Sequence, residues 1–502
     1  MRYDRPGRTS PGGKTRFGRD LGQSRVTVRR LVLVVGVLAM TAQASAQDQS
    51  PEKQAELENS ESRLSDEPKP FLSEGDIPER PPLILELGDD FLGQGELDNG
   101  FELPTGAVWQ PRLWVFGTYR TSVQTIDTGR AARISQWANR FDLFANLQLT
   151  GTEKVVVGIR PFDKNEFDDF SGYQFEPDND DKGFVNELGI NLRTAFAEGD
   201  FGSIFPNLDP EGTTLLDFGF SVGRQPLLFQ DGILLNDTID AVGLVRNNIR
   251  LPGVSNLRVA AIWGWNEVTR SVGGVADVQD DNVQFFGLSS EWDMPVTTLN
   301  VDAAYTLDQR DNNDAAFLGI SAAQRLGHIN TTFRANGSLA VGPETALTRD
   351  GVLLSAELSW TPYGTEDTLY VNPFAAFGEF VQAGRELVDG GGPLAPIGIL
   401  FASPNLGDFG SELSNRANDL GGIALGYQAF WNDNWTNLAV EFAMRKDLGL
   451  DGDEVGADQY GVGFQLQQKL TQQMLLQFEG FGAKQQGNKN AYGGRTEILY
   501  QF

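Results

Sequence analysis

The chain has 502 residues, no cysteine, one histidine and a formal net charge of −28 at pH 7. Without cysteine there can be no disulfide, no thiolate metal site and no c-type haem attachment. So acidic a composition argues against nucleic acid as a partner, because nucleic acid requires a basic surface.

Residues 1–46 predict a secretory signal peptide. They hold nine Lys/Arg and two Asp/Glu, and an arginine pair directly precedes the apolar run LVLVVGVLAM. The small-residue sequence ASA follows, which predicts cleavage before Gln47. The apolar run is too short to cross a bilayer as a helix, and no later stretch reaches the length that a membrane helix needs. Without residues 1–46 the formal net charge falls to −35, and the sequence predicts an exported protein without a helical anchor.

Residues 47–107 form an acidic periplasmic lead-in that contains proline. Its first half, QDQSPEKQAELENSESRLSDEPKP, has the composition of a disordered or weakly helical segment. Its second half, PPLILELGDDFLGQGELDNGF, has apolar anchors with which residues 75–107 would pack against, or plug, the domain that follows. A plain periplasmic tail is the alternative.

Residues 108–502 consist of short segments in which apolar and polar residues alternate. This period of two is typical of β-strands with one apolar and one polar side. In TLNVDAAYTLD, for example, Leu299, Val301, Ala303, Tyr305 and Leu307 alternate with Asn300, Asp302, Thr306 and Asp308. About 18 such segments are present. The least regular are those around 317–341 and in NPFAAF, where Pro373 removes a hydrogen-bond donor.

Two architectures use strands of this kind. A soluble sandwich turns the apolar sides inward, whereas a membrane barrel turns them to lipid and the polar sides to a lumen. The connections favour the barrel, because tight turns such as TGTE, MPVT and NDNW alternate with long acidic loops such as 163–183, 384–419 and 447–458. Aromatic residues gather near the strand ends, as in an interfacial girdle. The sequence therefore predicts an all-β fold, a transmembrane antiparallel β-barrel of about 18 strands with short periplasmic turns and long extracellular loops.

The C-terminal sequence RTEILYQF fits the closing strand of such a barrel. Ile498, Tyr500 and Phe502 share one side of it. The stretch resembles the terminal assembly signal of outer-membrane barrels, an alternating last strand that finishes on an aromatic residue. Pairing with the strand near Arg112 would leave no exposed edge. The resemblance implies an integral protein of the outer membrane of a Gram-negative-type bacterium, with lipid, lipopolysaccharide and the barrel-assembly machinery as partners.

Residues 222–246, VGRQPLLFQDGILLNDTIDAVGLVR, depart from simple alternation. A strand through LLDFGFSVGRQ is expected to end at Pro226, before a loop rich in Asp, Asn and Gly. The sequence GRQ, the acidic loop and a returning strand with an arginine resemble outer-membrane porins of the alginate-export type, which have 18 strands. The resemblance implies that Arg224 and Arg246 lie at the constriction and that LFQDGILLND lines or folds over the pore. A plain surface loop is the alternative.

The polar sides of the strands would line an aqueous lumen, because about 18 strands enclose more space than side chains fill. The predicted pore-lining residues, two of them from the resemblance, are Arg112, Arg120, Arg140, Arg160, Arg193, Arg224, Arg246, Asp302, Asp308, Glu357, Glu441 and Glu479. Arginines come mainly early and carboxylates mainly late, so a basic arc would face an acidic wall and set ion preference. The alternative is that these charges pair across neighbouring strands and only stabilise the wall.

No catalytic residue, cofactor or metal is predicted. Barrel hydrolases use histidine as a general base, and His328 falls at a predicted tight turn with no partner in the sequence pattern. The acidic stretches PDNDDKG and DGDEVGAD lack the complete calcium-loop pattern and are typical of solvated loops.

The loop 384–419 contains the apolar run PIGILF. An apolar run in a loop needs cover, so this one would fold into the mouth as a lid or constriction, cap the rim or contact a neighbouring protomer.

Three functions fit these observations. The first is a porin for passive passage of small hydrophilic solutes or ions, favoured because inward lysines are few and carboxylates many. The second is an exporter of an acidic polysaccharide, as the resemblance to the alginate-export type implies. The third is a plugged barrel with a structural or adhesive role, in which residues 75–107 fill the lumen.

Overall fold

The structure is a computed structural model, and it describes thirteen stretches of the chain. They are 80–93, 99–129, 131–162, 170–176, 182–208, 216–272, 276–280, 282–385, 392–398, 406–410, 413, 416–449 and 458–502. The predicted signal peptide, the first part of the lead-in and most of the two acidic calcium-like stretches lie outside these residues.

Eighteen antiparallel strands form a closed wall. They are β1 (Arg112–Asp127), β2 (Ile134–Gln148), β3 (Lys154–Arg160), β4 (Asn191–Asp200), β5 (Gly219–Phe229), β6 (Leu235–Leu251), β7 (Val254–Asn266), β8 (Val283–Asp293), β9 (Thr297–Asp308), β10 (Ala315–Leu326), β11 (Ile329–Ala340), β12 (Gly351–Trp360), β13 (Thr368–Phe380), β14 (Leu420–Trp431), β15 (Thr436–Asp447), β16 (Gln459–Lys469), β17 (Met474–Gln485) and β18 (Ala491–Gln501). The predicted fold class and strand number are confirmed.

Each wall strand pairs with the next one along the chain, and β18 pairs with β1. The closing pair runs from Tyr492 opposite Asp127 to Gln501 opposite Thr118. Because the sheet closes on itself in this way, neither β1 nor β18 is left unpaired along this length. The C-terminal strand is therefore the closing strand, as its sequence predicts.

The two sides of the wall differ as the alternation predicts. Large apolar side chains are exposed on the outer side, among them Trp263, Leu288, Leu318, Phe333, Val440, Phe464 and Ile498. Their neighbours in sequence point to the interior, where many polar side chains are buried, among them Gln124, Asn336, Glu441, Gln459 and Arg495. An apolar exterior around a polar interior is the pattern of a barrel whose outer side faces lipid.

The connections differ between the two ends of the barrel. Those at the end that carries the C-terminus include 252–253, 294–296, 327–328 and 432–435, whereas the opposite end carries 161–190, 267–282 and 381–419. Both irregular segments are strands. The turn at residues 327–328 joins β10 to β11, and Pro373 lies within β13, opposite Ile423.

Short elements accompany the wall. They are the strands Leu85–Leu87, Phe101–Glu102, Val108–Trp109, Ser171–Glu176, Gly183–Val185, Val268–Val272, Ala276–Asp280, Gly384–Arg385 and Ala417–Asn418, the α-helix Phe201–Ile204 and the 3-10 turns Pro206–Leu208, Gln230–Gly232 and Ala395–Ile397. Ser171–Glu176 continues the line of β3 along β2. Across the described residues, no helix has the length and apolar character that crossing a membrane would require.

The described part of the lead-in lies against the edge of β1. Strand β18 ends beside Gly117, whose amide donates to the Phe502 carbonyl at 2.9 Å. Beyond that point β1 continues to Arg112, and the strand Leu85–Leu87 pairs with this exposed edge. We call Leu85–Leu87 the N-terminal edge strand.

Candidate functional site: the barrel interior

The end of β5 and the start of β6 form a hairpin, residues 226–238, that lies inside the barrel; we call it the inner hairpin. At its turn, Gln230 Nε2 donates to Asp302 Oδ2 of β9 at 2.8 Å. Arg334 of β11 donates to Asp231 at the same turn. Arg334 follows the outward-facing Phe333 and therefore points to the interior. The inner hairpin thus crosses the lumen from β5 and β6 to β9 and β11.

A second segment, which follows β13, joins the inner hairpin. Gly384–Arg385 pairs in parallel with the first residues of β6. The Ala383 amide donates to the Leu234 carbonyl at 2.9 Å, and Gln382 Nε2 donates to the Gly232 carbonyl at 2.8 Å. We call residues 381–385, 392–398 and 406–410 the inner loop, and the inner hairpin and inner loop together the shelf.

The inner loop continues to the far wall. Asn372 of β13 donates to the Ile397 carbonyl, and Gln124 of β1 donates to the Leu406 carbonyl. The Phe409 ring lies 4.8 Å from the guanidinium carbon of Arg495 in β18. The described parts of this loop therefore lie inside the barrel, the first of the three predicted places, and of the apolar run PIGILF only residues 396–398 are among them.

Apolar packing fastens the shelf to the wall. Phe285, Phe317, Leu353 and Phe374 point inward from the wall, and Ile233, Leu234, Leu394 and Ile397 of the shelf pack in the same cluster. Each such side chain contributes about 1.5–3 kcal/mol when it is fully buried. The inward aromatic residues are a signal that sequence reasoning missed, because an aqueous wall has no need for them.

We call the region where β18 pairs with β1 the seam. Charged side chains around the seam form a network of ion pairs and hydrogen bonds. Arg120 makes two hydrogen bonds to the Glu497 carboxylate, at 2.6 and 3.0 Å. Arg495 lies 3.5 Å from Glu497 and pairs with Glu479, which also accepts from Gln465. Sequence reasoning missed Arg495, whose side chain is fully buried.

A cluster of arginines on β1, β2 and β3 lies next to this network. Asp142 accepts from Arg140 at 2.9 Å and from Arg160 at 2.7 Å. Arg120 lies directly opposite Arg140 across the strand pair. Three of the predicted arginines therefore come together around two carboxylates, Asp142 and Glu497.

Four of the predicted carboxylates hold other parts of the protein in place. Asp302 binds the inner hairpin, and Glu357 pairs with Arg334. Glu441 accepts from the Tyr370 hydroxyl at 2.6 Å. Asp308 accepts from the amides of residues 310 and 311 and caps the loop after β9.

Two further arginines of the predicted set, Arg112 and Arg193, lie apart from this network. Arg112 is at the start of β1, with its Nε 3.2 Å from Asp89 Oδ2. Arg193 is half-buried at a bulge of β4, between Leu192 opposite Ile159 and Thr194 opposite Gly158.

Arg224 and Arg246 do not lie at the constriction, so this expectation is wrong. Arg224 shares its side of β5 with the exposed Val222, and its guanidinium binds Asp240 at 3.0 Å and also Glu267. Arg246 shares its side of β6 with the exposed Leu244 and stacks over the Phe218 ring at 4.8 Å.

The strand β5 also does not end at Pro226, which lies within it, opposite Thr238. Gly223 has a φ of +123°, a conformation that favours glycine, and it lies just before the strand turns inward. The expectation that LFQDGILLND would line or fold over the pore agrees with the inner hairpin.

A cavity of about 290 Å³ lies between the inner hairpin and β7, β8 and β9. Its lining combines apolar residues of the hairpin with polar wall residues, among them Arg258, Ser289, Glu291 and Asn300. The barrel interior can therefore hold small polar molecules beside the shelf.

Comparisons with known proteins agree with this fold. A scan of protein-family models and a search of curated proteins found no match. Among solved structures, the chain is similar to OccK2 (OpdF) of Pseudomonas aeruginosa in complex with glucuronate, with 13% identity, a TM-score of 0.54 and coverage of 78% of this chain and 98% of that one. It is also similar to Pseudomonas aeruginosa OpdK with vanillate, with 12% identity, a TM-score of 0.53 and coverage of 78% and 98%. At these identities the likeness shows a shared outer-membrane porin-like barrel fold.

Proposed function

We propose that the protein is an integral outer-membrane porin through which small hydrophilic solutes or ions pass passively. The observation that carries the proposal is the closed barrel with an apolar exterior and a polar, charged interior. A wall of this kind needs lipid outside and water inside, because exposed apolar strands and buried unpaired charges are both unfavourable otherwise.

The presence of the shelf favours a selective channel rather than a wide, open one. It narrows the lumen from two sides, and it is held by side-chain hydrogen bonds and apolar packing. Polar groups at a constriction determine which solutes pass. The similar barrels OccK2 and OpdK have structures with glucuronate and vanillate, so small carboxylates are among the first solutes to test here.

The alternative function is export of an acidic polysaccharide, as in barrels of the alginate-export type. It would require a basic constriction, and the two arginines that the resemblance places there lie on the outer side of β5 and β6. The charges around the seam are largely paired, which favours a passive porin over an exporter of a polyanion.

The test is to insert the purified mature protein into planar bilayers and to measure single-channel conductance and the reversal potential in a salt gradient. We expect stable unitary steps. Folded protein without conductance would contradict the porin and would support a plugged barrel. A strong anion preference would favour polysaccharide export.

A matched variant tests the role of the shelf. Replacement of residues 392–410 by a short Gly/Ser linker removes much of the inner loop and leaves the eighteen wall strands intact. We expect larger unitary steps than in the wild type, because the narrowest part of the path is widened. Equal steps would mean that the inner loop does not limit the current.

A further inference from the structure

The cavity beside the inner hairpin contains two opposite charges that are not paired. Arg258 of β7 and Glu291 of β8 lie directly opposite each other in the sheet and both line the cavity. Side chains in such positions have Cβ atoms about 5 Å apart. Even so, neither Arg258 nor Glu291 forms an ion pair or hydrogen bond with any residue that the structure describes.

Two further carboxylates line the cavity, and each of them already has a partner in the protein. Asp302 accepts from Gln230, and Asp231 accepts from Arg334. Arg258 and Glu291 thus offer a ligand a guanidinium and a carboxylate, side by side, neither of which has a partner among the described residues. A guanidinium binds carboxylates through parallel hydrogen bonds, and a carboxylate accepts from ammonium groups.

The rest of the lining fits a small organic molecule. Ser289 and Asn300 are polar residues next to the two charges, and Leu228 of the hairpin and Ile262, on the same side of β7 as Arg258, add apolar surface to the lining. The volume of about 290 Å³ is close to the lower limit for ligand pockets, roughly 300 Å³. An ion alone would leave the apolar surface and one of the two charges unused.

We propose that this cavity is a binding subsite for small zwitterionic solutes of the α-amino acid class, with the carboxylate on Arg258 and the ammonium on Glu291. The proposal rests on the porin function and names a solute class for it. Both ends of the solute are recognised, so a carboxylate without an ammonium group binds less well.

The test compares four solutes of similar size: L-alanine, lactamide, lactate and isopropylamine. Alanine carries both charges, lactamide carries none, and each of the others carries one. We expect alanine to produce concentration-dependent interruptions of the single-channel current, lactamide to produce none, and the two singly charged solutes to act only at higher concentrations.

Variants assign the effect to the two side chains. Arg258→Met and Glu291→Gln should each weaken the apparent alanine affinity about tenfold or more, since each removes hydrogen bonds to a charged group. The exchange variant Arg258→Glu/Glu291→Arg keeps both charges in the cavity and should restore a preference for alanine over lactamide. Arg325→Met is the matched control, because Arg325 binds the Gly327 carbonyl at a turn away from the cavity.

The outcomes separate the subsite from the channel. Saturation-transfer NMR of alanine with detergent-solubilised protein reports binding even if no current is seen, so a missing conductance would overturn the porin alone. Equal behaviour of alanine and lactamide, or an alanine effect that survives both single variants, would overturn the subsite. If lactate bound as tightly as alanine and only Arg258→Met weakened the binding, the cavity would be a simple anion site and the zwitterion subsite would be wrong.

Discussion

Arg495 shows how a buried charge is accommodated inside this barrel. Its side chain is fully covered, and it contacts Glu479, Glu497 and the Phe409 ring of the inner loop. A buried charge is unfavourable unless it is paired, and Arg495 is paired with Glu479 and, together with Arg120, with Glu497. Arg495 therefore joins the wall of the barrel to the shelf.

We predict that Arg495→Met destabilises the protein by about 3–5 kcal/mol, because the buried Glu479 loses its cationic partner and the buried Glu497 keeps only Arg120. The free energy of unfolding in urea, with refolding into detergent micelles, measures the change. Arg325→Met, at an exposed turn, should change it by about 0.5 kcal/mol or less. Equal losses in the two variants would contradict a structural role for the buried arginine.

The side of the sheet on which a residue lies could be predicted from the sequence only where apolar and polar residues alternate regularly along the strand. Arg120, Arg140 and Arg160 follow the alternation of their strands and lie inside, with partners on the neighbouring strands. Arg224 and Arg246 were assigned from a resemblance, and a shift of one position in a strand moves a side chain to the other side of the sheet. Sequence pattern alone does not identify ion-pair partners, which come from strands far away in the chain.

At the scale of elements, the N-terminal edge strand covers a vulnerable part of the wall. Strand β1 extends beyond the end of β18, and its free edge would otherwise be a template for strand addition. The edge strand pairs there, and Trp114 Nε1 donates to the Asp89 carbonyl at 3.1 Å. Residues 85–87 thus pack against the barrel as an edge cover, which is the first of the arrangements expected from the sequence, where packing, a plug and a periplasmic tail were the alternatives.

We predict that the edge strand is loosened by acid. The hydrogen bond from Arg80 at 2.6 Å, together with that from the Phe91 amide, lowers the pKa of Glu86 below its usual value of 4.5. A lowered pKa in the folded state gives stabilisation that is complete above about pH 4.5 and is lost as the pH falls further. Intrinsic exchange of amide hydrogens is itself slower in acid, so the quantity to compare is the protection factor, the intrinsic rate divided by the observed rate. The protection factors of residues 80–93 should therefore be lower at about pH 3.5 than at pH 7.

The variant Glu86→Gln provides the comparison for this pH step. It should exchange faster than the wild type at pH 7 and show no additional loosening between pH 7 and about pH 3.5. Glu102→Gln, in the neighbouring strand Phe101–Glu102, should behave as the wild type. A pH step that persists in Glu86→Gln would assign the effect to another group.

The shelf depends on a close approach at Gly398. A Cβ atom on this residue would collide with the buried carboxylate of Glu441, which is fixed by Tyr370. We predict that Gly398→Ala displaces the inner loop and increases the single-channel conductance, with an unchanged wall. Gly482→Ala in β17 is the matched control, because a Cβ atom there meets no atom within 4 Å. Equal conductance in the two variants would show that the loop tolerates the added methyl group.

The wall strands could be predicted from sequence because their period of two is a local property. The inner hairpin was expected only from a resemblance, because its sequence departs from simple alternation and a plain surface loop fits the same residues. Its position is determined by Asp302 and Arg334, which are distant in sequence. Inward aromatic residues such as Phe285 and Phe317, which pack against it, are the feature of the wall sequence that indicates an apolar segment inside the lumen.

At the scale of the whole molecule, pairing limits the electrostatic asymmetry that the sequence suggests. Arginines come early and carboxylates late in the chain, but closure brings β1 beside β18, so that Arg120 meets Glu497. The basic arc and the acidic wall therefore neutralise each other at the seam. Ion preference then depends on small imbalances, and single neutralising substitutions should be enough to change it.

We predict opposite shifts for the two partners of the seam pair. Glu497→Gln leaves an excess of arginine and should move the reversal potential in a salt gradient toward anion preference, whereas Arg120→Gln should move it toward cation preference. One unit charge about 5–10 Å from a passing ion in water changes its energy by about 0.4–0.8 kcal/mol, which corresponds to an approximately two- to fourfold change in the permeability of that ion. Glu366→Gln, at an exposed turn between β12 and β13, should leave the potential unchanged. Shifts of the same sign in both seam variants would mean that the pair acts through the structure of the barrel, since a change in the charge of the lumen must act with opposite signs.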